Sequence, residues 1–206
     1  MDMALLGAFA ISSIGFAFMP GADWGYAIAT GVRGRGIWPA VTGLTLGYLL
    51  LTLASATGIA ALVAASPRGL DVITVAGVTY LVWLGVQTLR SARDARYAEA
   101  TGTPGSLKRM FVKGVATSGT NPKGLLLFVA LLPQFVSLRA AWPASAQMLV
   151  LGVVFTLTVF VVYAMVAFAS KKVISRRPEL ARFVSYASGT MMIVLAALLI
   201  AERFLN

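Results

Sequence analysis

Two short motifs set an ionisable residue beside helix breakers inside apolar sequence: Met19-Pro20-Gly21-Ala22-Asp23 and Asn121-Pro122-Lys123. A carboxylate such as Asp23 can bind an ammonium group or a proton. An amine such as Lys123, together with the free amides at a helix start, can bind a carboxylate. The pair would suit a small zwitterion, although a direct Asp23 to Lys123 ion pair in the empty protein fits the residue types equally well. Lipid cannot hydrogen-bond the backbone groups that proline or glycine frees, so such breaks persist only where protein or a water-filled cavity receives them. Each motif also has a plain structural reading. Asn121 and Pro122 make a good N-cap and first helical residue, Asp23 suits the positive end of a helix dipole, and Lys123 is long enough to snorkel to an interface. The expected binding set is Asp23, Asn121 and Lys123, with Pro20, Gly21 and Pro122 making the breaks.

The elements that must position these residues are membrane helices. Of 206 residues 59% are hydrophobic and 12% charged, against roughly 25% charged in a soluble domain. Six apolar stretches, 3–31, 37–65, 72–89, 110–138, 144–170 and 183–200, reach the ~18 residues a span needs. The connection 90–109, with Thr101-Gly102-Thr103-Pro104-Gly105, is the one substantial loop. Met1-Asp2-Met3 lacks the basic start of a secretory signal, so the first stretch is expected to remain as a helix. Zero Cys and zero His exclude disulfides, thiol redox chemistry and ordinary transition-metal sites, and no cofactor or metal is expected.

Net charge is +10, and its placement matters more than its size. All Lys and Arg except Arg68, Lys123, Arg139 and Arg203 fall in or beside the first, third and fifth connections. The positive-inside rule puts those connections in the cytoplasm and both termini outside an inner membrane. Orientation and attraction to anionic lipid account for the charge without nucleic acid.

The stretches run long, long, short, and then repeat that order, with a Pro-centred motif in the first helix of each half. Three helices is an odd number, so the halves enter the membrane in opposite senses. The expected fold is one all-α integral membrane domain: repeat one at 1–95, a cytoplasmic linker at 90–109, repeat two at 110–206, and Pro-broken first and fourth helices. Inverted repeats are common among secondary transporters, whose sites lie at the repeat interface on discontinuous helices. From helix rise, Pro20 lies roughly 25 Å into a core ~30 Å thick, and the stretch after Pro122 needs ~22 Å to reach the outer side, so the breaks are expected at similar depth.

Other polar residues are less specific. Thr45, Tyr48, Thr52 and Ser55 share one helix face, as Thr156 and Tyr163 do in the fifth helix, and cavity lining or interhelical bonding suits both sets. Tyr48 and Tyr163 rank as secondary binding candidates. Gly43 and Gly47 form a GxxxG spacing whose default meaning is close helix packing.

The Met19 to Asp23 motif, Ala64-Ala65-Ser66-Pro67 followed by Tyr80-Leu81-Val82-Trp83-Leu84-Gly85, and Asn121-Pro122-Lys123-Gly124-Leu125 leading to Leu131-Leu132-Pro133-Gln134-Phe135-Val136 resemble the LysE-type amino-acid exporters. The homoserine/threonine (RhtB) branch is the nearest in pattern, and the resemblance covers nearly the whole chain in order. It implies an inner-membrane exporter of amino acids or derivatives, driven by the proton gradient. Ala22 stands where the family usually has a second proline, which leaves the break less firmly specified. Tyr48 lies near a position that is acidic in some members, including exporters of basic amino acids. A small neutral substrate such as homoserine or threonine is therefore expected over Lys or Arg. Two other classes fit the sequence less well. A non-transporting interaction or regulatory membrane protein would use the broken helices for assembly, and an intramembrane hydrolase would need a Ser-Lys or paired-Asp arrangement that the chain does not present. Small residues in the helices leave homo-oligomer formation open.

Overall fold

Asp2 starts the first helix by accepting from the amides of Ala4 (2.9 Å) and Leu5 (3.3 Å). In the computed structural model, which describes residues 1–59, 106–172 and 180–205 with 75, 78–80, 82, 83 and 85–90 between them, this helix, α1, runs Met3–Phe18. Met19, with Pro20 after it, is extended (φ −67°, ψ 117°), as a residue before proline prefers. The chain resumes as α2, Ala22–Arg33, bent 58° from α1. Gly34 and Gly36 hold positive φ (66° and 73°), a conformation that glycine adopts without steric cost. They turn the chain into α3, Ile37–Ala54, which ends in one wide turn at Ser55–Ile59. The outer part of the expected second span, seven residues of 72–89 and most of the connection 90–109 lie outside the described residues.

Ser106 caps α4, Leu107–Gly119, by accepting from the Arg109 amide (3.3 Å), so this helix starts at Leu107 rather than Met110. After Thr120 and Asn121 the chain re-enters as α5, Pro122–Leu126, widens over Leu127–Leu131 and tightens over Leu132–Phe135. The two parts are bent 47°. The long α6, Ala144–Lys172, and the last helix α7, Leu180–Leu205, complete the described fold. There is no strand among the described residues. Among the described residues two helices, Ile37–Gly58 and Ala144–Lys171, are long and apolar enough to cross a membrane, or up to four if each bent pair is one span.

α6 is apolar on every side. Met148, Leu151, Phe155, Val159, Val162 and Val166 are buried, while Leu149, Val153, Leu157, Val161, Met165 and Phe168 form an exposed stripe. A helix hydrophobic all round belongs in lipid or in a large core, and the exposed stripe decides for lipid. The Gly43 and Gly47 spacing serves close packing: a Cβ at Gly43 would lie 2.2 Å from the Phe111 carbonyl oxygen, and one at Gly47 2.8 Å from that of Val115. α3 and α4 thus touch backbone to backbone, which fixes where α4 delivers the residues that follow it.

Candidate functional site

The end of α1 leaves carbonyls that no later turn can receive. Trp24 Nε1, from the first turn of α2, donates to the Ala17 carbonyl (2.8 Å). Lys123 Nζ, reaching across from α5, donates to the carbonyls of Met19 (2.7 Å) and Phe16 (3.3 Å). The ammonium therefore sits at the negative end of the α1 dipole, where a cation is favoured. It also lies 5.6 Å from the centre of the Phe16 ring, a cation–π distance. Lys123 is fully buried, so its charge is met by this helix end rather than by water.

Asp23, also fully buried, stands in the first turn of α2, at the positive end of the second helix of the break. Its carboxylate is ringed by donors from other elements. Oδ2 accepts from Tyr48 Oη on α3 (2.5 Å), from Tyr163 Oη on α6 (3.1 Å) and from Asn121 Nδ2. Oδ1 accepts from Ser118 Oγ on α4 (3.1 Å). Asn121 works at both ends, because its Oδ1 accepts from the Lys123 amide (3.0 Å) and so caps α5. Proline has no N–H, so the Lys123 amide is the first free donor of that helix, and Asn121 already occupies it.

The structure thus brings Asp23, Asn121, Lys123, Tyr48 and Tyr163 to one place, with Pro20 and Gly21 at one break and Pro122 opening the helix at the other. Gly21 faces the Lys123 chain, whose Cδ would lie 3.7 Å from an added Cβ. The two opposite charges do not bond each other; each is satisfied separately, Asp23 by hydroxyl and amide donors and Lys123 by carbonyls. The polar stripe on α3 divides: the hydroxyls of Thr45 and Thr52 return to the carbonyls of Val41 and Tyr48 in their own helix, as Thr156 does to Gly152 in α6. Only the tyrosines of those two faces reach Asp23.

Sequence reasoning missed Ser118 and Trp24. Ser118 lies one turn before Asn121, and its position ahead of the break was the available signal. It also missed the aromatic wall. Tyr48 packs on Phe128 (ring centres 6.3 Å) and Phe155 (5.1 Å), and Phe155 on Phe16 (6.2 Å). Gly124 makes room for Tyr48, since a Cβ there would come within 2.8 Å of its ring. The arrangement is a buried group of rings around one acid and one base, each held by its own set of hydrogen bonds. Among the described residues no cluster of His, Cys, Asp or Glu offers a metal site.

The LysE type translocator family model matches residues 14–203. The chain is 33% identical over 175 residues to an uncharacterized membrane protein of Vibrio cholerae, covering 83% of each. It is 28% identical over 173 residues to a homoserine/homoserine lactone efflux protein of Salmonella typhimurium, covering 82% of each. Similarity to a leucine efflux protein of Klebsiella pneumoniae is 24% over 139 residues, 66% of this chain and 65% of that one. No solved structure matches.

Proposed function

The chain belongs to the LysE-type translocator family, whose members are transporters and not enzymes, and from that premise we propose that it exports a small neutral amino acid or derivative across the inner membrane. The relatives named for efflux of homoserine, homoserine lactone and leucine favour a solute with an uncharged side chain. A homoserine- or threonine-like molecule is the proposed substrate, and the proton gradient the proposed driving force. The proposed architecture is six spans in two inverted three-helix repeats, the first and fourth broken at Pro20 and Pro122, with both termini outside.

The observation that carries this reading is the separate satisfaction of Asp23 and Lys123 at one place. An amino acid presents an ammonium and a carboxylate. The ammonium takes Asp23 in exchange for the hydroxyls of Tyr48, Ser118 and Tyr163, and the carboxylate takes Lys123 in exchange for the carbonyls of Met19 and Phe16. Each exchange replaces one set of hydrogen bonds by another, so neither charge is left bare in a low dielectric. Asn121 holds the two motifs together while this occurs. Alternatively a proton takes the place of the ammonium on Asp23, which would couple export to the gradient.

The test is efflux from proteoliposomes loaded with labelled amino acids, with and without an imposed pH gradient. Asp23→Asn and Lys123→Ala should insert and yet lose efflux, since each removes a charge and keeps the break. Wild-type efflux in both variants would return the two residues to a structural role. No efflux of any amino acid from folded, inserted wild-type protein would favour a membrane interaction protein.

A further inference from the structure

A hydroxyl in an apolar helix normally turns back to the carbonyl one turn earlier. Ser12 does so to Ala8 (2.9 Å), Thr30 to Tyr26 (2.8 Å) and Ser170 to Val166 (2.6 Å), as do the threonines already named. Ser118 departs from the pattern and serves Asp23. Ser13 departs from it and serves nothing. It is 1% exposed, and its Oγ is the one buried side-chain polar atom without a hydrogen-bond partner among the described residues. Leaving such a group unpaired lowers stability, and a partner that is present only part of the time would account for it.

The surroundings indicate what that partner is. Phe9, Ser13 and Phe16 follow one another at spacings of four and three, on one face of α1. Phe9 meets Phe135, at the end of the second broken helix, edge to face (ring centres 5.1 Å, 69°). Phe16 meets Phe155 on α6 in the same way (6.2 Å, 72°). Phe16 is also the residue whose carbonyl and ring hold Lys123. Ser13 thus lies in the seam between α1, α6 and the second broken helix, with one aromatic pair on either side. Along the α1 axis it is about 4.5 Å beyond Phe16, on the side away from the break.

We infer that Ser13 is a second polar subsite of the solute's route, taking a hydrogen-bonding group of the small amino acid once it has left Asp23 and Lys123. The inference rests on the transport reading above. The Phe16–Phe155 pair separates this subsite from the charged one, and the Phe9–Phe135 pair closes it on the far side. Its single hydroxyl can donate and accept, so it can serve either end of a zwitterion without holding it as a charge would.

Two variants test this. Ser13→Ala removes an unpaired buried hydroxyl, so its melting temperature in detergent should equal or exceed that of the wild type, while efflux falls about fivefold, the size of one neutral hydrogen bond. A residue important only for packing would not raise stability and lower efflux together. Ser13→Cys is nearly isosteric in a chain that has no cysteine of its own. In proteoliposomes it should react with a charged thiol reagent, and the exported amino acid should slow that reaction. Ile14→Cys, at a side chain 51% exposed on the outer surface of α1, should not react. Wild-type efflux in S13A, or an unreactive S13C in protein that transports, overturns the proposal. Reaction of S13C in protein that exports none of the amino acids tested would support an aqueous seam and overturn amino-acid export instead.

Discussion

Asp23 accepts four hydrogen bonds, three of them on a single oxygen, which leaves little capacity for a solute unless a donor withdraws. Removing a donor should therefore favour the solute. For Ser118→Ala we expect half-maximal efflux at a concentration about tenfold lower, the low end of one hydrogen bond to a charged group. A higher half-maximal concentration with unchanged maximal rate would show that Ser118 binds the solute rather than competing with it. Asn121→Asp acts in the opposite direction, because it sets a second carboxylate against the first. The expected destabilisation is ~3–5 kcal/mol, the scale of an uncompensated buried charge, read as a lower melting temperature in detergent. An unchanged melting temperature would mean that Asn121 does not hold Asp23.

At the scale of elements the break between α1 and α2 is held by its own carbonyls finding donors. Trp24→Phe keeps an aromatic, though smaller, ring beside Phe18, whose ring centre lies 6.5 Å from that of Trp24, but loses the bond to Ala17. It should cost roughly 1–3 kcal/mol, the range for a buried acceptor left unpaired, in a thermal melt. The close approach of α3 and α4 supports a second comparison. Gly43→Ala would force a Cβ to within 2.2 Å of the Phe111 carbonyl, whereas Gly7→Ala meets nothing within 4 Å. The first should be destabilised by ~1–3 kcal/mol, as overpacking costs, and the second should melt as the wild type does. Equal melting of the two would show that α3 and α4 do not pack as described.

For the whole molecule the charge distribution predicts the orientation. In intact cells Met3→Cys should react with an impermeant thiol reagent, and Arg35→Cys should react only once the inner face is exposed. Both side chains are exposed in the fold, so access and not burial decides the outcome, and the reverse pattern would invert the proposed topology. The exposed apolar stripe of α6 and the basic residues at the helix ends suit one placement in a bilayer. Under the proposed export, the charged pair would be reached from the two sides of the membrane in turn, and the bends at the two broken helices are where such a change would fall.

The sequence by itself determined the membrane class, because apolar length and sparse charge are sums over the chain that need no partner. It also determined the cap at Asn121, which depends on residues within a turn of one another; the caps at Asp2 and Ser106 and the turn at Gly34 and Gly36 are equally local, but the structure and not the sequence brought them out. That Asp23 and the Asn-Pro-Lys motif stand at helix breaks was legible from the prolines and glycine beside them. Their mutual arrangement was not: the donors to Asp23 stand 25, 95, 98 and 140 residues away, and only helix packing could select Tyr48, Ser118 and Tyr163 over the other hydroxyls on the same faces. The residue types left a direct Asp23 to Lys123 bond open. Tertiary structure decided against it, because the carbonyls at the end of α1 lay within reach of Lys123 and needed a donor, while the hydroxyls from α3, α4 and α6 had already filled the carboxylate.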